Sequence, residues 1–221
     1  MKEFYSVINR VVSKNITDII LFFSTGKDSV VMYDICNKYI KNIVPVYLYY
    51  VKGLSYREDF IKYYEDKYGR EIVRLPHPEL ALYKKNNVFG CGKAKDRENQ
   101  EVSLSENDNI LRRQYNVSYI AYGYKKTDSL SRRGMIWHGD GIDERNKKIF
   151  PVADFSNKDI MYYVKKNKLL LPPEYKDGYR DINNFFEKRA LTWLISRYPN
   201  DYEALKTEYP LIDSVLYKEG V

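Results

Sequence analysis

Ser24-Thr25-Gly26-Lys27-Asp28-Ser29 follows directly on the apolar run Ile19-Ile20-Leu21-Phe22-Phe23 and leads into Val30-Val31-Met32-Tyr33, which opens a helix-period pattern. A strand that breaks at a glycine and re-enters a helix leaves several backbone N–H groups pointing at one spot, and the helix dipole makes that spot positive. Lys27 adds a full charge, and the hydroxyls of Ser24, Thr25 and Ser29 add short donors. The six residues read as a phosphate cradle, and the expectation is an enzyme acting on a nucleotide. The stretch is not a Walker A loop. That motif requires glycine where Leu21 stands, and Ser or Thr where Asp28 stands.

A chain of 221 residues with 44% hydrophobic content buries one good core, with room for an appended subdomain. No apolar run is long enough to span a bilayer, and Met1-Lys2-Glu3-Phe4-Tyr5 lacks the basic-then-hydrophobic order of a signal peptide. A cytoplasmic location is expected. The net charge of +7 suits a polyphosphate substrate and permits nucleic acid, without establishing either. Cys36 and Cys91 form no close-spaced pair, and His77 and His138 are isolated. Neither a zinc site nor a cysteine-held iron–sulfur cluster is therefore expected, nor a structural disulfide.

Apolar positions at helical spacing over Phe4–Ser13 predict a first helix, and Ile19–Phe23 a first strand. The helix after the cradle places Val31, Ile35 and Tyr39 on one face, with Cys36 reading as a small core residue. Strands are expected at Val44–Val51, Glu71–Leu75 and Val117–Tyr122, with a helix over Tyr56–Tyr68 that Gly69 ends. The segment Pro76–Ser105 is weakly periodic, a mark of a functional or mobile stretch. Ser105 with Asp108, and Ser156 with Asp159, have the spacing of helix N-caps. Gly134–Lys148 reads as a loop or small hairpin, Ile149–Val152 as a short edge strand, Leu169–Tyr179 as an ordered turn region, and the chain from Phe185 as helical. This alternation predicts an α/β fold, a mostly parallel twisted sheet flanked by helices, over residues 1–180. Residues 181–221 are expected to form a helical extension packed on the same domain.

Ligands of open parallel sheets sit at the carboxyl ends of strands. After the fourth strand the chain reads Gly123-Tyr124-Lys125-Lys126-Thr127-Asp128-Ser129-Leu130-Ser131-Arg132-Arg133. A glycine there permits close backbone approach to a ligand, and four cations follow. A strand order that set this loop beside the first would let both hold one polyphosphate.

The pattern Ser-x-Gly-x-Asp-Ser resembles the PP-loop of the adenine-nucleotide α-hydrolase-like superfamily. Three later segments resemble the branch of that superfamily formed by phosphoadenosine phosphosulfate (PAPS) reductases and their relatives. Gly123 to Arg132 resembles Gly-x-Arg-x-x-(Asp/Glu)-Ser-x-x-Arg, with Lys125 in place of the first arginine. Pro151 to Ile160 resembles Pro-(Leu/Ile)-x-x-Trp-(Ser/Thr)-x-x-Asp-(Val/Ile), with Phe155 in place of tryptophan. Leu171 to Tyr179 resembles Leu-Pro-x-x-x-Leu-Tyr-x-x-Gly-(Phe/Tyr).

The resemblance implies an enzyme of AMP-forming ATP pyrophosphatase or adenylyltransferase type, Rossmann-like in fold. It would bind an adenine nucleotide, ATP with Mg2+, and direct an acceptor oxygen at the α-phosphorus with pyrophosphate leaving. On that reading the backbone of Gly26 and the side chains of Ser24, Lys27 and Ser29 hold the phosphates, with Thr25 in the same loop. Asp28 holds magnesium or caps the helix, and both roles stay open. Gly123, Lys125, Arg132 and Arg133 serve the leaving group or an anionic acceptor, Arg132 foremost because a guanidinium grips phosphate bidentately. Lys27, Asp28 and Arg132 are the expected catalytic residues. An aromatic ring near Tyr49–Lys52 would stack on the base. The acceptor is an anionic small molecule or a nucleic acid, and a second copy of the chain is a candidate partner.

One departure matters most. PAPS reductases carry a catalytic cysteine near the C-terminus, and this chain has no cysteine after Tyr179. Cys91, between Gly90 and Gly92 and near Lys93, is the one conceivable substitute, and an inert loop thiol is the alternative. A PAPS reductase with an unorthodox thiol, a module that senses a nucleotide without cleaving it, and a nucleic-acid-modifying subunit are thus the competing readings.

Overall fold

In a computed structural model of the chain, the described residues are 5–98, 100–137, 139–179 and 186–217. The order along the chain is α1 (Ser6–Ser13), β1 (Asp18–Phe22), α2 (Lys27–Tyr39), β2 (Asn42–Tyr49), α3 (Ser55–Tyr68), β3 (Val73–Pro76), α4 (Glu79–Lys85), α5 (Leu104–Tyr115), β4 (Tyr119–Ala121), α6 (Leu130–Trp137), β5 (Ile142–Asp143), β6 (Lys148–Ile149), α7 (Asn157–Lys166), α8 (Pro173–Lys176), α9 (Lys188–Arg197) and α10 (Pro199–Glu208). The strands form one sheet in the order β3-β2-β1-β4-β6-β5. β1 runs parallel to β2 on one side and to β4 on the other, with Ile20 opposite Val44 and Ile120. β4 is parallel to β6, and β5 is antiparallel to β6. The α/β class and the mostly parallel, helix-flanked sheet agree with the sequence. β1 is buried at every position after Asp18, which is why its sequence is a continuous apolar run without alternation.

The chain divides into two compact units. One comprises Met1–Leu48, Glu65–Arg74 and Asp108–Leu171; the other comprises Tyr49–Tyr64, Leu75–Asn107 and Pro172–Val221. The expected boundary at 180/181 lies outside the described residues, as do Phe4, His138 and Phe185. The division differs from a single domain with a C-terminal extension, because helices α9 and α10 share a core with segments from the middle of the chain.

In the first unit α2 buries Val30, Val31, Met32, Tyr33 and Ile35 completely. Cys36 lies among them with no exposed surface, and burial pushes its thiol pKa up. It is a core residue, as its helical spacing predicts. In the second unit Trp193 meets the edge of Tyr56, with centroids 5.3 Å apart. The Asp201 carboxylate of α10 accepts the Ser55 and Tyr56 N–H groups at 2.9 and 3.2 Å, closing the N-terminus of α3. The buried Arg57 and Glu174 side chains pair at 3.0 Å in the same unit.

Several local expectations shift. The segment 76–105 contains α4 and two 3-10 turns, Val88–Gly90 and Ala94–Glu98. α6 occupies part of the expected Gly134–Lys148 loop, and the rest forms the small β5/β6 hairpin. α7 starts on the expected capping box, with Asp159 N–H donating to Ser156 Oγ at 3.2 Å and Ser156 N–H donating to Asp159 at 2.8 Å. The cap of α5 is Ser103 with Glu106, not Ser105 with Asp108: Glu106 N–H donates to Ser103 Oγ at 3.2 Å, and Ser103 N–H donates to Glu106 at 2.7 Å. Asp108 is instead fully buried, accepting the Tyr122 hydroxyl at 2.5 Å and pairing with Lys148 at 3.0 Å. Both serines fit the capping pattern, and burial of Asp108 decides between them. Among the described residues no helix is long and apolar enough to cross a membrane.

The two caps separate by mutation. Ser103→Ala should lower stability by about 0.5–2 kcal/mol in urea unfolding, with Ser105→Ala having the smaller effect. The reverse order would show that α5 begins elsewhere.

Candidate functional site

β1 ends at Phe22, and Phe23 N–H still donates to the Val46 carbonyl at 2.8 Å. The chain then turns through Thr25, a buried β-branched residue held at φ +63°. A left-handed conformation costs such a residue about 1–3 kcal/mol, and conformations of this kind gather at ligand-holding loops. Gly26 is the N-cap of α2, in extended conformation, and the Val30 N–H makes the first intrahelical bond to its carbonyl at 3.0 Å. As a glycine, the N-cap supplies no side-chain oxygen to α2. The N–H groups of its first turn, those of Asp28 and Ser29 among them, have no partner within the helix.

The loop after β4 lies against this one. An added Cβ on Gly123 would stand 3.3 Å from the Ser29 nitrogen and 3.4 Å from its Cα. The glycine thus allows one backbone to approach another, where the sequence suggested approach to a ligand. Lys125 follows, with 1% of its side chain exposed, and its Nζ lies 2.8 Å from Asp28 and 2.8 Å from Asp128. Lys27 Nζ is 3.2 Å from the same Asp28 oxygen. Asp128 also accepts the Lys125 N–H at 2.9 Å and Arg132 at 3.0 Å. The Arg132 guanidinium sits 4.2 Å over the Tyr124 ring. Burial pushes the Asp128 carboxyl up, but the side-chain and backbone hydrogen bonds from Lys125, its charge, and Arg132 together hold the group below the ordinary carboxylate range. A carboxyl depressed on folding stabilises the fold above its unfolded value and loses that contribution as the pH falls through its folded value.

Sequence-expected residues therefore meet: Gly26, Lys27, Asp28 and Ser29 from the first loop, and Gly123, Lys125 and Arg132 from the second. Their roles sort differently. The Ser29 hydroxyl donates to the Gly26 carbonyl at 2.8 Å and stiffens the loop itself. Ser24 is exposed. Arg133 is exposed on α6, with Nε donating to the Lys126 carbonyl at 3.3 Å. Asp28 caps nothing: one oxygen is engaged by two lysines, and the other is buried without a hydrogen-bond partner. Cations surround Asp28, and among the described residues no three His, Cys, Asp or Glu side chains are grouped to hold a metal ion. Asp128 and Tyr124 join the site unforeseen, although the i,i+3 and i,i+4 spacing of Lys125, Asp128 and Arg132 was visible in the sequence.

Cys91 belongs to the second unit, buried in its apolar cluster. Burial pushes its thiol pKa up, and the nearby charge of Lys84 does not offset this. A Cβ on Gly92 would stand 2.2 Å from the Lys84 carbonyl oxygen, so that glycine serves chain packing. Tyr50, in the segment expected to stack on a base, lies parallel to His77 at 4.4 Å and donates to Glu79 at 2.6 Å.

Residues 18–186 match the family described as the phosphoadenosine phosphosulfate reductase domain. A 61-residue stretch is 34% identical to phosphoadenosine 5'-phosphosulfate reductase of Alteromonas mediterranea, covering 28% of this chain and 25% of that protein. An uncharacterised protein of Methanocaldococcus jannaschii is 24% identical over 172 residues, 76% of this chain and 41% of the relative. The chain thus spans well under half the length of these curated relatives. In fold it is similar to phosphoadenylyl-sulfate reductase from Candida auris, solved as a phosphate complex (TM-score 0.53, 14% identity, 80% of this chain and 85% of that chain). It is also similar to the U34-tRNA thiolase NcsA from Methanococcus maripaludis (TM-score 0.49, 13% identity, 99% of this chain and 80% of that chain). NcsA carries a [4Fe-4S] cluster. That finding goes against the expected absence of an iron–sulfur cluster, which rested on counting and spacing cysteines in this chain alone, and it does not bear on ATP or Mg2+.

Gly123 tests the contact between the loops. Gly123→Ala should lower stability by about 1–3 kcal/mol in denaturant unfolding, because the new methyl meets backbone that cannot swing aside. A neutral substitution would mean that the loops do not touch there.

Proposed function

The chain belongs to the phosphoadenosine phosphosulfate reductase domain family, and from that membership and the geometry of the two loops we propose that it is an enzyme that grips ATP by its phosphates and cleaves it at the α-phosphorus. An acceptor oxygen forms the new P–O bond. The α–β bridging bond breaks, pyrophosphate leaves with the electron pair, and the acceptor's proton passes to solvent. The acceptor receives the adenylyl group.

The observation that carries this reading is the glycine-capped first turn of α2, carrying Lys27 and Asp28 and joined through Lys125 and Asp128 to Arg132. Donors fixed before the nucleotide arrives need little reorganisation as charge grows on the phosphate oxygens. The Gly26 turn and the Asp28 and Ser29 N–H groups receive the phosphate tail. Lys27, with 14% of its side chain exposed, turns from Asp28 to the phosphates. Arg132, with 43% exposed, is tethered through one nitrogen to Asp128 and offers its outer edge to pyrophosphate or to an anionic acceptor. Arg133 reinforces the charge from the surface of α6. Reduction of a sulfonucleotide needs a reactive thiolate. Cys36 and Cys91 are both buried with raised thiol pKa values, and neither is suited to that role.

Incubation with ATP labelled at the α- and γ-phosphates, supplied as its magnesium salt, tests the reading. AMP or an adenylylated acceptor together with pyrophosphate is the expected outcome, and ADP with inorganic phosphate would refute it. In the same assay Lys27→Ala should weaken ATP binding by about tenfold or more, the loss of one charge-assisted contact.

A further inference from the structure

We propose that Lys125 is a positioning residue, whose buried ammonium fastens Asp28 of the first loop to Asp128 of the second so that both loops act as one anion-binding unit. The inference rests on reading the first loop as the phosphate cradle. It departs from the expectation that Lys125 itself touches the nucleotide or an acceptor.

Three observations lead to it. Lys125 is 1% exposed, whereas Lys27 and Arg132 are 14% and 43% exposed in their side chains. Its Nζ stands 2.8 Å from each of two carboxylates, and those carboxylates come from different loops. Its own backbone N–H donates to Asp128 at 2.9 Å and the Asp128 N–H donates back to its carbonyl at 3.1 Å, which fixes the direction of the side chain. A buried ammonium is tolerated only when its charge is met, and turning it to an incoming phosphate would strand both carboxylates. The more exposed cations lie on either side of it: Lys27 pairs with Asp28 and Arg132 with Asp128, carboxylates that Lys125 continues to neutralise. The five groups form a chain, Lys27–Asp28–Lys125–Asp128–Arg132, in which the middle member is the strut and the end members are the ligand contacts. An anion that recruits Lys27 and Arg132 leaves the centre intact.

The test is ATP affinity by calorimetry for the wild type, Lys125→Met, Asp128→Asn and the double variant, each checked for folding by circular dichroism. Each single change should weaken ATP by about tenfold, and the double no further, because both remove the same tether. Lys125→Arg should restore most of the affinity, since a merely space-filling lysine would be replaced as well by methionine. Should Lys125→Met fail to fold, Asp128→Asn and Lys125→Arg carry the comparison, the first weak and the second close to wild type. Losses that multiply in the double variant would place Lys125 on the phosphates and overturn the proposal, as would an unchanged affinity in Lys125→Met. A wild type that binds no ATP would remove the cradle reading itself and this inference with it. That outcome is told apart because it appears before any substitution.

Discussion

The structure turns on β1 being paired in parallel on both sides. Ile20 faces Val44 of β2 and Ile120 of β4. The chain leaves β1 through α2 towards one neighbour, while the other neighbour arrives much later in sequence. Both loops of the candidate site start at the carboxyl ends of β1 and β4, which lie side by side in the sheet. Gly123 lets them close to backbone contact, above the buried apolar run of β1.

Electrostatics follow from that placement. Asp28 and the neighbouring Lys125 and Asp128, far from it in sequence, end up in one poorly solvated spot, and each is tolerable only because of the others. The arrangement separates two kinds of cation, the buried Lys125 between two carboxylates and the more exposed Lys27 and Arg132 on either side of it. The strained Thr25 fits the same picture: a loop held in a costly shape by packing on both sides.

Much of this could be read in the sequence. The apolar Ile19–Phe23 run, the glycine after it and the helix period beyond fixed β1, the turn and α2, because their signals are local. The pairing of Lys125 with Asp28 was not legible, since it depends on strand order, and Lys125 reads in sequence like any surface cation. Ser103 and Ser105 offered equivalent caps, and the burial of Asp108 that separates them comes from Tyr122 and Lys148, far along the chain. α6 hid behind Gly134 and a run of polar residues. The division into two units was hidden too, because the second unit is assembled from three separated segments whose shared core no local pattern reveals.

The bend between β1 and α2 is the proposed seat of a nucleotide's phosphates. A crystal structure of the protein with a non-hydrolysable ATP analogue measures this directly. Phosphate oxygens within hydrogen-bonding distance of the Asp28 and Ser29 N–H groups, with Lys27 turned onto them and Lys125 still between the two aspartates, are the predicted result. Phosphates bound away from that bend would contradict it.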